Sequence, residues 1–154
     1  MSSGQGFDKV LSGLPLVNYR AGETIMKAGT KSGRLLILKS GSVTILKDAI
    51  EIATVDEAGA VFGELSALLD VPHTADVRVL TDAQFHVADA ALLGKDPTTL
   101  LEVARILARR IVAANRSVVE LKSQMQADTS PGVLNKMLKR VEKILSVGGA
   151  SFET

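Results

Sequence analysis

The chain has 154 residues, enough for one domain with a sizeable core and an appendage. Its 18 Lys and Arg stand against 17 Asp and Glu, so no net field draws it to nucleic acid or an anionic membrane. With no Cys, no Trp, 4 Phe and 1 Tyr, it has no disulfide framework, thiol nucleophile or thiolate metal site, and almost no platform for stacking bases.

The opening residues MSSGQG lack a basic region followed by an apolar one, and no apolar run approaches about 18 residues, so a soluble cytoplasmic protein is expected. Residues 7–14 place Phe7, Val10, Leu11 and Leu14 on one side of an amphipathic turn closed by Pro15. From residue 16 to 88 the texture changes to short β-type runs: 16–19, 24–26, 34–39, 42–47, 51–55, 75–80 and 84–87. Turn residues separate them, which predicts a sandwich or barrel. Ser40-Gly41 is the clearest hairpin signal, and Lys47-Asp48-Ala49 turns the next pair less tightly. The expected interior is Leu36, Leu38, Val43, Ile45, Ile52, Val55, Phe62, Val77 and Val79.

Asp96-Pro97 opens a long helix, with Asp96 as N-cap and Pro97 at its first position. It runs to about residue 127 without Gly or Pro, about 45 Å. Leu100, Ala104, Leu107, Ile111, Ala114, Val118, Leu121 and Met125 recur at alternating spacings of 4 and 3, a heptad seam that predicts a parallel homodimer. Leu101, Val103 and Ile106 lie off the seam and should pack on the barrel. Asp128-Thr129-Ser130-Pro131-Gly132 breaks the pattern, dividing the chain into residues 1–127 and a tail, 128–154. In the tail a final helix over about 133–147 carries Leu134, Leu138, Val141 and Leu145, with Lys136, Lys139, Arg140 and Lys143 around them. That basic face is read as solvated, not as a nucleic-acid surface.

The residues with chemistry to offer lie between positions 61 and 77, VFGELSALLDVPHTADV. Gly63 breaks a strand end, a helical turn restarts over 65–69, and Pro72-His73-Thr74 begins the return into an extended run. The break leaves backbone N–H groups pointing outward, a small anion nest with the Glu64 carboxylate beside it. That combination suits a sugar phosphate. No catalytic alternative competes. The 2 His, His73 and His86, are too few for a metal-binding barrel, and neither a nucleophile–base pair, a P-loop nor a dinucleotide fingerprint is present. Neither a catalytic residue nor a bound metal or cofactor is expected.

FGELSALLDVPHTADV resembles the phosphate-binding cassette of the cyclic-nucleotide-binding domain family, whose usual form is FGE(L/I)AL followed by PR(S/T)A(T/D)V. The likeness extends through Ser40-Gly41-Ser42-Val43 and Glu57-Ala58-Gly59-Ala60-Val61-Phe62, and covers roughly residues 8–120. It implies a mainly β fold with α: an antiparallel β-barrel or jelly roll (double-stranded β-helix), then a long C-terminal dimerisation helix and a short extra helix. It also implies a regulatory sensor whose ligand is cAMP or cGMP. Glu64 would accept the ribose hydroxyl, while Phe62, Gly63 and Leu65 frame the turn whose N–H groups meet the phosphate. Thr74 and Ala75 would complete the phosphate site, and Ile45 and Ala53 match apolar pocket-wall positions. His73 stands where the family has a permanently charged, bidentate Arg, and a neutral imidazole offers one N–H in its place. A loop histidine near solvent and a phosphate contact are equally compatible with it.

On the long helix, Asn115 falls where catabolite-activator relatives contact the base, and it could reach a partner subunit's pocket or set coiled-coil register. Residues 128–154 are too few for the helix-turn-helix domain of those relatives, so the expected readout is an effector protein and not DNA. Two alternatives stay open: a degenerate domain serving as a dimerisation or protein-interaction module, and a barrel that binds another phosphorylated nucleotide.

Overall fold

A computed structural model describes residues 4–128, 132 and 135–140, which form two compact units, residues 1–107 and 108–154. The element order is α1 (Gly4–Ser12), β1 (Leu16–Tyr19), β2 (Thr24–Met26), β3 (Arg34–Lys47), β4 (Ile50–Val55), β5 (Val61–Phe62), α2 (Glu64–Leu69), β6 (Asp76–Asp89), α3 (Leu92–Lys95) and α4 (Pro97–Asp128). The strands form one antiparallel six-stranded sheet in the order β1-β6-β3-β4, with β2 on β6 and β5 on β3. The sheet is an open roll and not a closed barrel, since β1 and β4 end the ladder.

The sheet is built on two 14-residue strands, β3 and β6, paired from Arg34↔Asp89 to Leu46↔Asp76. Sequence patterning suggested two shorter strands in each place. At Ser40-Gly41 the chain does not reverse; it makes a bulge, with register shifts on both sides and Gly41 at φ 89°. A Cβ on Gly41 would lie 2.4 Å from the Asp82 carbonyl oxygen and 2.6 Å from the Ala83 Cα, so this glycine lets β6 approach while β3 bends. The tight hairpin is at Asp48-Ala49 instead. Both residues have positive φ, 52° and 63°, the conformation of a two-residue turn that matches strand twist, and they join Lys47 to its partner Ile50.

Alternation along β3 creates two cores. Leu36, Leu38 and Val43 face one side with Met26, Phe62, Val77, Val79 and Phe85. Leu35 and Ile37 face the other with Phe7, Val61, Ala88, Leu93 and Val103. The apolar run Leu35–Leu38 is therefore buried on both faces, as continuous apolar strands are. Phe85 is fully buried and meets Tyr19 and Phe62 edge-on, with centroids 5.7 and 6.1 Å away. Of the expected interior, Ile52 is 58% exposed. On β4 Val55, opposite Val43, packs on the core, and Ile52, three residues before it, falls on the other face of the pleat.

The second core receives the helices of the first unit. Phe7 is buried on α1, with Leu11 half-buried beside it. The start of α4 is capped as expected: the Thr99 N–H donates to Asp96 Oδ2 at 3.0 Å, and the Thr99 hydroxyl donates to the same oxygen. Val103 and Ile106 pack into this core, whereas Leu101 is 51% exposed and does not. In the second unit α4 continues to Asp128, residues 135–140 are helical, and Leu138 is buried. The predicted break at 129–131 and Leu134, Val141, Lys143 and Leu145 lie outside the described residues.

Candidate functional site

The chain turns at Gly63, between the end of β5 and the first residue of α2. Gly63 has φ 91° and ψ −1°, a left-handed conformation that costs an L-residue about 1–2 kcal/mol. The close approach that it permits here is by its own chain. A Cβ would meet the Arg34 carbonyl oxygen at 2.5 Å and the Met26 Cε at 2.9 Å. Gly63 thus seats the first turn of α2 on the start of β3.

Glu64 follows, and it is only 3% exposed. Sequence reasoning gave it to a ribose hydroxyl; in the structure the residue is enclosed and engaged in an interaction within the chain. Leu65, Leu68 and Leu69 on α2 are exposed, and Phe62 belongs to the main core. The helix ends in a turn held by Ser66, whose hydroxyl donates to the Val71 carbonyl at 2.5 Å and whose carbonyl accepts the Asp70 and Val71 N–H groups. Asp70 is left-handed at φ 52° and pairs with Lys31 at 2.9 Å. The hydrogen bond and charge of Lys31 hold its carboxyl below the usual carboxylate range.

His73 is buried at 9% exposure and is no solvent-facing loop histidine. Its N–H donates to the Thr30 carbonyl at 2.9 Å, and its carbonyl accepts the Gly29 N–H at 2.8 Å. The ring Nε2 accepts the Ser32 N–H at 3.3 Å and meets the Ser32 hydroxyl at 2.9 Å. An amide can only donate, so Nε2 is the acceptor and the ring proton sits on Nδ1. Asp76 adds a further tie, accepting the Ala28 N–H at 2.7 Å. The β2–β3 loop and the return loop after α2 are therefore stitched together, with the imidazole as part of the seam.

The remaining expected ligand residues surround this seam unevenly. Thr74 is exposed, and Ala75 is half-buried just before β6. Ile45 and Ala53 face each other across the β3–β4 ladder, the first half-buried and the second exposed. Asn115 is exposed on α4 in the second unit. A cleft of about 250 Å³ opens against α2, lined by Gly63 and His73 and also by Lys31, Arg34 and Asp70. Sequence reasoning missed Lys31 and Arg34. The signal available was a Gly-containing turn, Lys31-Ser32-Gly33-Arg34, carrying two cations at a strand start. Among the described residues, no group of three or more His, Cys, Asp or Glu is placed to hold a metal ion. No described helix is long and apolar enough to cross a membrane.

The family model for the cyclic nucleotide-binding domain matches residues 16–95, from β1 to α3. The chain belongs to that family. This cyclic nucleotide-binding domain is 32% identical over 73 residues to the cGMP-dependent protein kinase egl-4 of Caenorhabditis briggsae, a match over 47% of the chain and 10% of the kinase. It is 35% identical over 112 residues to glutaminase 2 of Bradyrhizobium diazoefficiens, over 66% of the chain and 17% of that protein. The chain thus spans a small fraction of the curated relatives it matches. Among solved structures, PKAR CBD2 with Sp-2Cl-cAMPS bound superposes with a TM-score of 0.59 at 29% identity, covering 74% of this chain and 75% of that one. Domains of this family are regulatory and not catalytic.

Proposed function

We propose that this chain is a regulatory sensor domain for a cyclic nucleotide, cAMP or cGMP, acting as a homodimer on a partner protein. The observation that carries this is the family match spanning β1 to α3, with Glu64 leading α2 directly after the left-handed Gly63. Glu64 takes the ribose hydroxyl. The backbone N–H groups at Gly63 and Leu65, with Thr74, take the ring phosphate, and Ile45 and Ala53 wall the base. His73 acts from behind, shaping the return loop through Ser32. The binding domain runs to residue 127, residues 128–154 form the tail, and Asn115 serves the partner's pocket.

Dimerisation is supported by the seam on α4, where Leu100, Ala104, Ile111, Ala114 and Leu121 are exposed and Leu107 and Val118 half-buried. A helix that leaves large apolar residues uncovered at heptad spacing gains from a second copy. The proposal is tested by titration calorimetry of the full chain with cAMP, cGMP and 5′-AMP. Saturable heat with one of the cyclic nucleotides, and none with AMP, is expected.

A second reading has an observation of its own. Glu64 is enclosed, and the His73 ring is already engaged by Ser32, as in a domain that keeps the fold as an interaction module. No heat with either cyclic nucleotide from a folded protein would select it.

A further inference from the structure

The cleft against α2 holds more positive charge than its own residues neutralise. Lys31 and Asp70 compensate each other at 2.9 Å, and their side chains are 51% and 95% exposed. Water competes for so open a pair, and a stronger anion can displace its carboxylate. Arg34 has no such partner. It is exposed, and no hydrogen bond or ion pair to a described residue holds its guanidinium. Asp89 sits across the ladder from it but turns Oδ1 to the Ala91 N–H at 2.8 Å. The His73 ring turns its Nε2 to Ser32.

We propose that this cleft is an anion site for a small phosphorylated ligand, with Arg34 as its anchor and Lys31 as a second cation drawn from Asp70. The planar guanidinium fork pairs two oxygens of a phosphoryl group, and a dianion gains from a second cation where a carboxylate gains less. A volume of about 250 Å³ equals the space of about eight waters, which suits a phosphate or a compact phosphomonoester. It falls below the roughly 300–1,000 Å³ usual for drug-sized ligands. Of the residues given the sugar phosphate above, the cleft shares Gly63, whereas Glu64, Leu65, Thr74, Ile45 and Ala53 do not line it.

The test is an NMR titration of the full chain with inorganic phosphate and, in parallel, glycerol phosphate. Ionic strength is held constant with chloride, and the amides of Gly33, Ala90 and Ala91 are followed. Saturable shifts confined to these residues are expected, and the two titrations distinguish free phosphate from an ester as the preferred form. Arg34→Ala should weaken the affinity by roughly tenfold to a hundredfold, the loss of a charged hydrogen-bond partner, and Arg34→Lys by less. Asp70→Asn should tighten it severalfold, since it removes a competing carboxylate and frees Lys31. Shifts that never saturate, equal affinity in Arg34→Ala, or weaker binding by Asp70→Asn would each overturn the site. Cyclic-nucleotide affinity should be unchanged in Arg34→Ala, so the absence of cyclic-nucleotide binding counts against the sensor reading and not against this cleft.

Discussion

The seam between Ser32 and His73 can be taken apart by a double-mutant cycle. The ring Nε2 accepts one short hydrogen bond at 2.9 Å and one long one at 3.3 Å, together about one full bond, worth about 1 kcal/mol net. His73→Ala also empties the space of a side chain that is 9% exposed, which adds about another 1 kcal/mol. The expected loss is about 2 kcal/mol, or roughly 8–16 °C in Tm if the first unit unfolds cooperatively. Ser32→Ala removes only the hydroxyl and should cost about 0.5–1 kcal/mol. The double variant should fall short of the sum by about 0.5–1 kcal/mol, because each single change already breaks the same bond. His73→Arg is the sharper test, since Arg has no acceptor and would orphan the Ser32 N–H. It should destabilise the free protein by about 1–3 kcal/mol even while its charge tightens binding of a nucleotide phosphate. Urea denaturation followed by circular dichroism reads every arm. Strict additivity in the cycle, or a His73→Arg protein more stable than wild type without ligand, refutes the seam.

Other expectations follow from the same structure. Glu64→Ala should lower cyclic-nucleotide affinity by roughly tenfold to a hundredfold, about 1.5–3 kcal/mol, in the calorimeter. Because Glu64 is enclosed and partnered, the same change should lower the urea midpoint; a protein unchanged in both respects removes Glu64 from the site. Ile111→Glu with Val118→Glu places like charges on the seam and should convert a dimer to a monomer in sedimentation at tens of micromolar, whereas a monomeric wild type ends the dimer proposal. For pH, burial first and the Lys39 charge second hold His86 below its usual value of 6.5, against a smaller opposing contribution from the Leu11 backbone. The unfolded chain therefore takes up this proton before the folded one does. The stability contribution is complete above about pH 6.5 and is lost as pH falls through and below that value. His86→Gln should flatten the change in urea midpoint between pH 7.5 and 5.5, and equal slopes for the two proteins would show that another group sets it.

Sequence alone determined the elements that obey a local rule. Asp96-Pro97 names a helix start by cap chemistry that needs no tertiary partner, and Thr99 supplies it from the next turn. The FGEL turn is equally local, because Gly63 must be left-handed for β5 to end and α2 to begin. The family was legible for the same reason, since its signature is a contiguous stretch and not an assembly of distant residues.

Tertiary structure decided whatever depends on a neighbour from another part of the chain. Ser40-Gly41 has the composition of a hairpin, but the approach of Asp82 and Ala83 makes it a bulge within one long strand. The outward position of Ile52 was set by pairing register, and a one-residue change of register reverses which side chains face the core. The motif marks Glu64 as a ligand carboxylate, and its burial to 3% exposure is decided by the fold. His73 shows the limit most clearly. Its place in the motif left a phosphate contact and a loop residue near solvent equally open; its ring is buried and met by Ser32, 41 residues earlier in the chain. The cationic cleft likewise joins Lys31 and Arg34 to a helix 30 or more residues away, and only folding places those charges beside one another. Periodicity and turn chemistry act over a few residues, whereas burial, register and charge pairing are settled by whichever segment arrives alongside.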